Sequence, residues 1–148
     1  MHSGRHPQAP KSVGCTCLRL RKAARRVSQI YDRALEPCGL TVTQYGLLGH
    51  IGVLDGVGLG ALAAKLVMDP TTLTRNLKVM LRQGWIAEAP DDIDQRGAPL
   101  KITAQGRKLL ESIGPAWQRA QARAKRLLGA DGVELLFAVR ERVRAKPG

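Results

Sequence analysis

Aromatic side chains are scarce in this chain: 148 residues include two Trp, two Tyr and one Phe. Modules that read RNA sequence stack bases on exposed rings, so such a composition argues against RNA reading. Acidic residues are also few, with 12 Asp plus Glu against 24 Lys plus Arg and a formal charge of +12. An excess of that size favours a polyanionic partner, with nucleic acid first among the candidates, although basic residues also keep a protein soluble and position must decide.

Cysteine is limited to Cys15, Cys17 and Cys38. An odd number in a chain of this size argues against a secreted disulfide framework. His2, His6, Cys15 and Cys17 match no common zinc spacing, so no metal and no other cofactor is expected. Nor does the sequence supply a nucleophile with its base or a pair of carboxylates in a cleft, so catalysis is not expected. No stretch approaches the roughly 20 apolar residues of a membrane span, and the basic N-terminus lacks the apolar run of a secretory signal. The expectation is a cytoplasmic protein without membrane attachment.

What is present is helical periodicity. Residues 1–14, with Pro7 and Pro10 and no apolar period, read as a disordered tail. From Leu18 the apolar positions Leu20, Ala24, Val27, Ile30, Tyr31, Ala34 and Leu35 recur at steps of three and four, the mark of an amphipathic helix ending near Pro37-Cys38-Gly39. Its outer face carries Arg19, Arg21, Lys22, Arg25, Arg26 and Arg33. Thr41 to Thr43 offer capping hydroxyls for a second helix, and Asp55-Gly56-Val57-Gly58 reverses the chain. A short third helix around Leu62 follows. Asp69-Pro70 opens a fourth, with an acceptor at the cap and proline in the first turn.

Trp85–Ala89, the polar run Pro90–Gly97 and Pro99–Ile102 read as strand, long turn and strand. After Thr103, a cap candidate, helical composition continues, with a kink or a break into two helices expected at Gly114-Pro115 and a stop at Gly129. Two short helices joined by a tight turn and followed by a hairpin make a winged helix-turn-helix, in which the second helix can enter the major groove. The fold class is therefore mainly α with a small β-hairpin wing. In the helix from Pro70, the apolar Leu73, Leu77, Met80 and Leu81 leave Thr71, Thr72, Thr74, Arg75, Lys78 and Arg82 as candidate DNA contacts. Arg75 is the expected base reader, because its guanidinium can grip guanine at two atoms. At the hairpin tip, Gln95 and Arg96 could reach the minor groove, while Asp91, Asp92 or Asp94 could instead hold Arg96 to brace the wing.

The runs Leu59–Leu66, Thr71–Leu77, Gly84-Trp85-Ile86 and Leu100–Thr103 resemble the multiple antibiotic resistance regulator (MarR) family, over roughly Leu18 to Arg144. The resemblance implies a homodimeric reader of palindromic double-stranded DNA. It implies dimerisation helices over 15–40 and 104–148 around a DNA-binding unit at 41–103. The family's wing usually reads Asp-x-Arg-Asp-x-Arg, and here Ile93 replaces the first arginine. Members release DNA on meeting a small anionic or phenolic ligand or an oxidant. Cys17, with Cys15 beside it, precedes Tyr31 by the spacing of the hydroperoxide-sensing branch, although a second family tyrosine falls at Val42. Arg19, Arg21 and the helix N-terminus would favour the reactive thiolate, whereas the plainer role for Cys17 is a small core residue. Tyr31, Tyr45, His50 and Trp117 are the candidates for an inducer pocket, with core packing as the plainer role for each. The alternative function is a winged-helix module for protein contacts without specific DNA binding.

Overall fold

A computed structural model of the chain describes residues 14–90 and 98–144. The tail, apart from Gly14, and the polar turn at 91–97 lie outside the described residues. Helix α1 (Thr16–Leu35) runs into a single 3-10 turn, Glu36–Cys38. Helix α2 (Val42–Leu54) then opens on a reciprocal cap: Gln44 N–H donates to Thr41 Oγ1 at 3.2 Å and Thr41 N–H donates to Gln44 Oε1 at 3.1 Å. Two of the helix's unpartnered donors are thereby satisfied. Asp32 on α1 accepts from Val42 N–H at 2.8 Å, which ties the two helices where the chain turns.

Helices α3 (Leu59–Leu66) and α4 (Pro70–Arg82) follow, then strands β1 (Ile86–Glu88) and β2 (Leu100–Ile102). The strands are antiparallel, in the register Ile86 to Ile102 and Glu88 to Leu100. The reversal after α2 adds to this sheet. Leu100 N–H donates to Val57 O at 2.8 Å and Gly56 N–H donates to Leu100 O at 3.1 Å, so the wing is hydrogen-bonded to the segment that enters α3. One bridge has no sequence period, and the hairpin reading alone did not contain it.

The last helix, α5 (Ala104–Arg144), corrects one expectation, the break into two helices at Gly114-Pro115. Its backbone remains helical through Gly114-Pro115, and the only non-helical residue inside it is Gly129, at φ 74° and ψ 165°. Proline removes one helical hydrogen bond. Here the neighbours Ile113, Ala116, Ala120 and Ala124 are all buried on one face, and that packing keeps the backbone helical across the gap. At Gly129 the positive φ suits a residue without Cβ, so the helix is interrupted there, at the predicted stop.

The core is one cluster, joining Leu35, Leu47, Leu48 and Ile51 to Leu62, Leu73, Leu77 and Met80, and through Trp85, Ile86 and Leu100 to Ile113 and Ala116. It binds the helix-turn-helix, the hairpin and the start of α5 into one body. Beyond Ala124, α5 leaves apolar side chains uncovered, among them Leu127, Leu135, Leu136, Phe137 and Val143.

Candidate nucleic-acid interface

Helix α4 begins at Asp69, whose carboxylate accepts from Thr72 N–H at 3.0 Å, with Pro70 in the first turn. Its buried residues are Leu73, Leu77 and Met80. At 100° per residue these three fall within about 60° of one another and anchor the helix to the core. Thr71, Thr74, Arg75, Lys78 and Arg82 fall on the opposite side, along a stripe of ~16 Å. Thr71, Thr74, Arg75 and Lys78 line a shallow hollow of about 400 Å³ with Pro70. No acidic residue occurs in α4, so the stripe's charge comes from two arginines and a lysine alone. Hydroxyls beside guanidinium and ammonium groups on an exposed helix suit both phosphate oxygens and base edges.

Thr72 lies off the stripe by roughly 100°. Its hydroxyl faces Asp69 at 3.4 Å and its carbonyl accepts from Asn76 Nδ2 at 2.9 Å, so it belongs to the cap of α4. Gln95 and Arg96, like Asp91, Asp92, Ile93 and Asp94, lie outside the described residues. The strands that would present them stand directly after α4, and Lys101 on β2 is 3.9 Å from Asp55.

Sequence reading identified Thr103 as a cap, and Gly106 N–H does donate to its Oγ1 at 3.0 Å. It missed the hydroxyl's second bond, donated to Gly84 O at 2.6 Å, and the 3.0 Å bond from Thr103 N–H to Trp85 O. Through one side chain the residues just beyond α4 are fastened to the start of α5. A threonine before a helix signals the cap, but the partner 19 residues away is set only by the fold.

The sensing candidates separate. Cys15 and Cys17 are exposed in the single chain, so Cys17 is not a core residue there. Tyr31 donates its hydroxyl to Gln121 Oε1 on α5. Along a straight helix, Tyr31 lies ~21 Å from Cys17, so the two cannot meet within one chain. Tyr31 also lines a mostly apolar cavity of about 350 Å³ with Val27, Leu128, Val133 and Phe137. Tyr45 packs on Trp117 instead, with ring centroids 6.1 Å apart. His50 Nδ1 lies 2.7 Å from Gly46 O in its own helix. Burial raises the hydroxyl pKa of both tyrosines above the ordinary value. Among the described residues no three His, Cys, Asp or Glu side chains are grouped to hold a metal, and no helix is long and apolar enough to cross a membrane.

A model of the MarR family matches residues 39–97, the segment from the residue after the 3-10 turn to the end of the polar run that follows β1. The transcriptional activatory protein BadR of Rhodopseudomonas palustris is 32% identical over 105 residues, covering 69% of this chain and 60% of that one. The multiple antibiotic resistance protein MarR of Salmonella typhimurium is 31% identical over 83 residues, 56% of this chain and 58% of its own length. The chain thus aligns with about 60% of the length of these curated relatives. Among solved structures, the M. tuberculosis transcriptional regulator MosR in complex with DNA is 37% identical over 87% of this chain and 98% of its own, with a TM-score of 0.69. A mutant MarR from E. coli complexed with operator DNA superposes with a TM-score of 0.79 over 91% of this chain and 99% of its own; at 22% identity it shows the shared fold.

Proposed function

Because the chain belongs to the MarR family, we propose that it is a transcription regulator that binds double-stranded DNA sequence-specifically. It acts as a cytoplasmic homodimer on a palindromic operator, as a repressor. The observation that carries this reading is the acid-free stripe of Thr71, Thr74, Arg75, Lys78 and Arg82, with its apolar back buried in the core. Such a helix presents hydroxyls, forked donors and positive charge at the radius of a major groove. Gln95 and Arg96 are assigned to the wing's minor-groove contact and Thr72 to holding the helix N-terminus beside the backbone. The DNA-binding unit spans 41–103, with dimerisation through 15–40 and 104–148. The exposed Leu135, Leu136 and Phe137 on α5 support pairing of two copies, since apolar side chains so placed favour burial.

DNA binding is modulated by a small-molecule inducer or by oxidation of Cys17, with Cys15 beside it. The inducer's pocket is assigned to Tyr31, Tyr45, His50 and Trp117, which border the body shared by α1, α2 and α5. For the oxidant, the thiol would meet Tyr31 only across a dimer. The test is fluorescence anisotropy of the reduced protein on its own upstream DNA and on scrambled duplex, over a salt series, before and after hydroperoxide. Specific binding with a steep salt slope supports the regulator. Equal affinity for both duplexes would replace it with a winged-helix module for protein contacts.

A further inference from the structure

The excess charge of the chain does not lie on the segment that holds α4. Residues 41–103 carry six Lys and Arg against six Asp and Glu, so the whole formal charge of +12 belongs to residues 1–40 and 104–148. On α1 the run of Arg19, Arg21, Lys22, Arg25 and Arg26 precedes the helix's single acid, Asp32, and all five are exposed. At 100° per residue Lys22, Arg26 and the exposed Arg33 fall within about 40° of one another, and on α5 the exposed Arg119, Arg123 and Arg126 fall within about 60°. The two stripes adjoin, because Arg26 and Arg33 face Arg123 and Arg126 across one open hollow. They run for ~16 Å on α1 and ~10 Å on α5.

Neither ion pair between described residues, Lys101 with Asp55 or Arg144 with Glu141, involves these six side chains. Neighbours along each stripe lie within a Debye length of one another, so the six act as one field and not as isolated solvated charges. A two-fold interface centred here would set the stripe against its own copy, cation against cation, so pairing of two chains falls elsewhere and leaves it open. We propose that this face of α1 and α5 is a second surface for double-stranded DNA, one that grips phosphates without reading bases, so that a molecule seated on an operator can hold another duplex as well. A duplex carries one negative charge per ~1.7 Å of axis, which places about nine phosphates along the α1 stripe. Arginine forks suit phosphate oxygens. The stripes contain no aromatic side chain on which an unpaired base could stack, which disfavours single-stranded RNA. A lipid surface is disfavoured because the apolar side of α1 is already taken: Leu35 is buried, and Val27 and Tyr31 turn toward Leu128 and Phe137 of α5. This surface goes beyond the operator reading and stands or falls apart from it.

The test uses the full chain in two measurements: anisotropy on a labelled scrambled duplex over a salt series, and capture of that duplex by beads carrying the protein on its own upstream DNA. Lys22→Gln/Arg26→Gln/Arg119→Gln/Arg123→Gln should bind the scrambled duplex at least tenfold more weakly, with a salt slope lower by about three to four. The same variant should hold its upstream DNA with the parent's affinity yet no longer capture the second duplex. Arg75→Gln/Lys78→Gln should do the reverse, losing preference for upstream DNA while keeping its hold on scrambled duplex. If the parent shows no preference between the duplexes, the operator reading fails while the stripe variant still tests this face. If the quadruple variant fails to fold, Arg26→Gln/Arg123→Gln must weaken scrambled binding severalfold. Unchanged scrambled affinity in the stripe variants, loss confined to the α4 variant, no capture by the parent, or stripe-dependent binding of poly(U) RNA or phosphatidylserine vesicles tighter than that of duplex would overturn the proposal.

Discussion

A Cβ on Gly106 would lie 2.0 Å from the carbonyl oxygen of Trp85 and 3.0 Å from Ile102 Cγ1, so the first turn of α5 touches the backbone that leaves α4. Gly106→Ala is therefore expected to force α5 away from β1 and to destabilise the protein by about 2 to 3 kcal/mol. Urea unfolding checks it: the midpoint should fall with an unchanged slope, and an unmoved midpoint would mean the contact yields freely.

Val67, in the turn between α3 and α4, has φ 50° and is 93% exposed. A β-branched side chain in the left-handed region is strained, and this one has little packing to lose. Val67→Asn should raise stability by roughly 0.5 to 1 kcal/mol, seen as a higher melting temperature. A lower one would show that the valine holds a contact not visible in the single chain.

On operator DNA, Arg75→Ala should lower affinity by about 1 to 3 kcal/mol and relax base preference at one position of each half-site. Lys78→Ala should weaken all duplexes alike and reduce the salt slope by about one. Anisotropy on a panel of single-base operator variants separates the two, and an unchanged Arg75→Ala profile would remove this residue from base reading.

Cys17→Ser is expected to bind DNA like the parent but to stay bound after hydroperoxide. Release of both proteins to the same extent would show that the response to oxidant does not run through Cys17.

The chain's only two tyrosines are Tyr31 and Tyr45, and desolvation raises the pKa of each in the folded state. The neutral phenol is the favoured form in the fold. Their contribution to stability is therefore complete below the ordinary tyrosine value near 10 and is lost as pH rises through the raised folded value. An absorbance titration at a tyrosinate wavelength should show ionisation of the native protein at higher pH than of the urea-unfolded chain. Superimposable curves would contradict it.

Much of this was legible in the sequence for physical reasons that can be named. The spacing of Leu73, Leu77 and Met80 fixes which side of α4 is buried, and so which side carries Arg75 and Lys78. The capping signals at Thr41, Asp69 and Thr103 mark helix starts because they act within three residues. Interactions between distant segments were not legible. The Val57 to Leu100 bridge, the Thr103 bond to Gly84 and the Tyr31 bond to Gln121 depend on where the fold brings the chain back. The break between two helices falls at Gly129 and not at Pro115, since burial of Ala116, Ala120 and Ala124 outweighs a local helix-breaking tendency. Among the inducer candidates, the packing of Tyr45 on Trp117 was likewise set by the fold, because aromatic identity says little about which ring meets which.

The two tryptophans sit on either side of the Thr103 junction. Trp85 is 7% exposed between α4 and the hairpin, and Trp117 lies against Tyr45 in the helical body. The two indoles have different surroundings, so the molecule carries a built-in pair of optical gauges. Replacing either one with phenylalanine leaves a single-colour reporter, one following the reading head and the other the helices that hold it, with no dye attached.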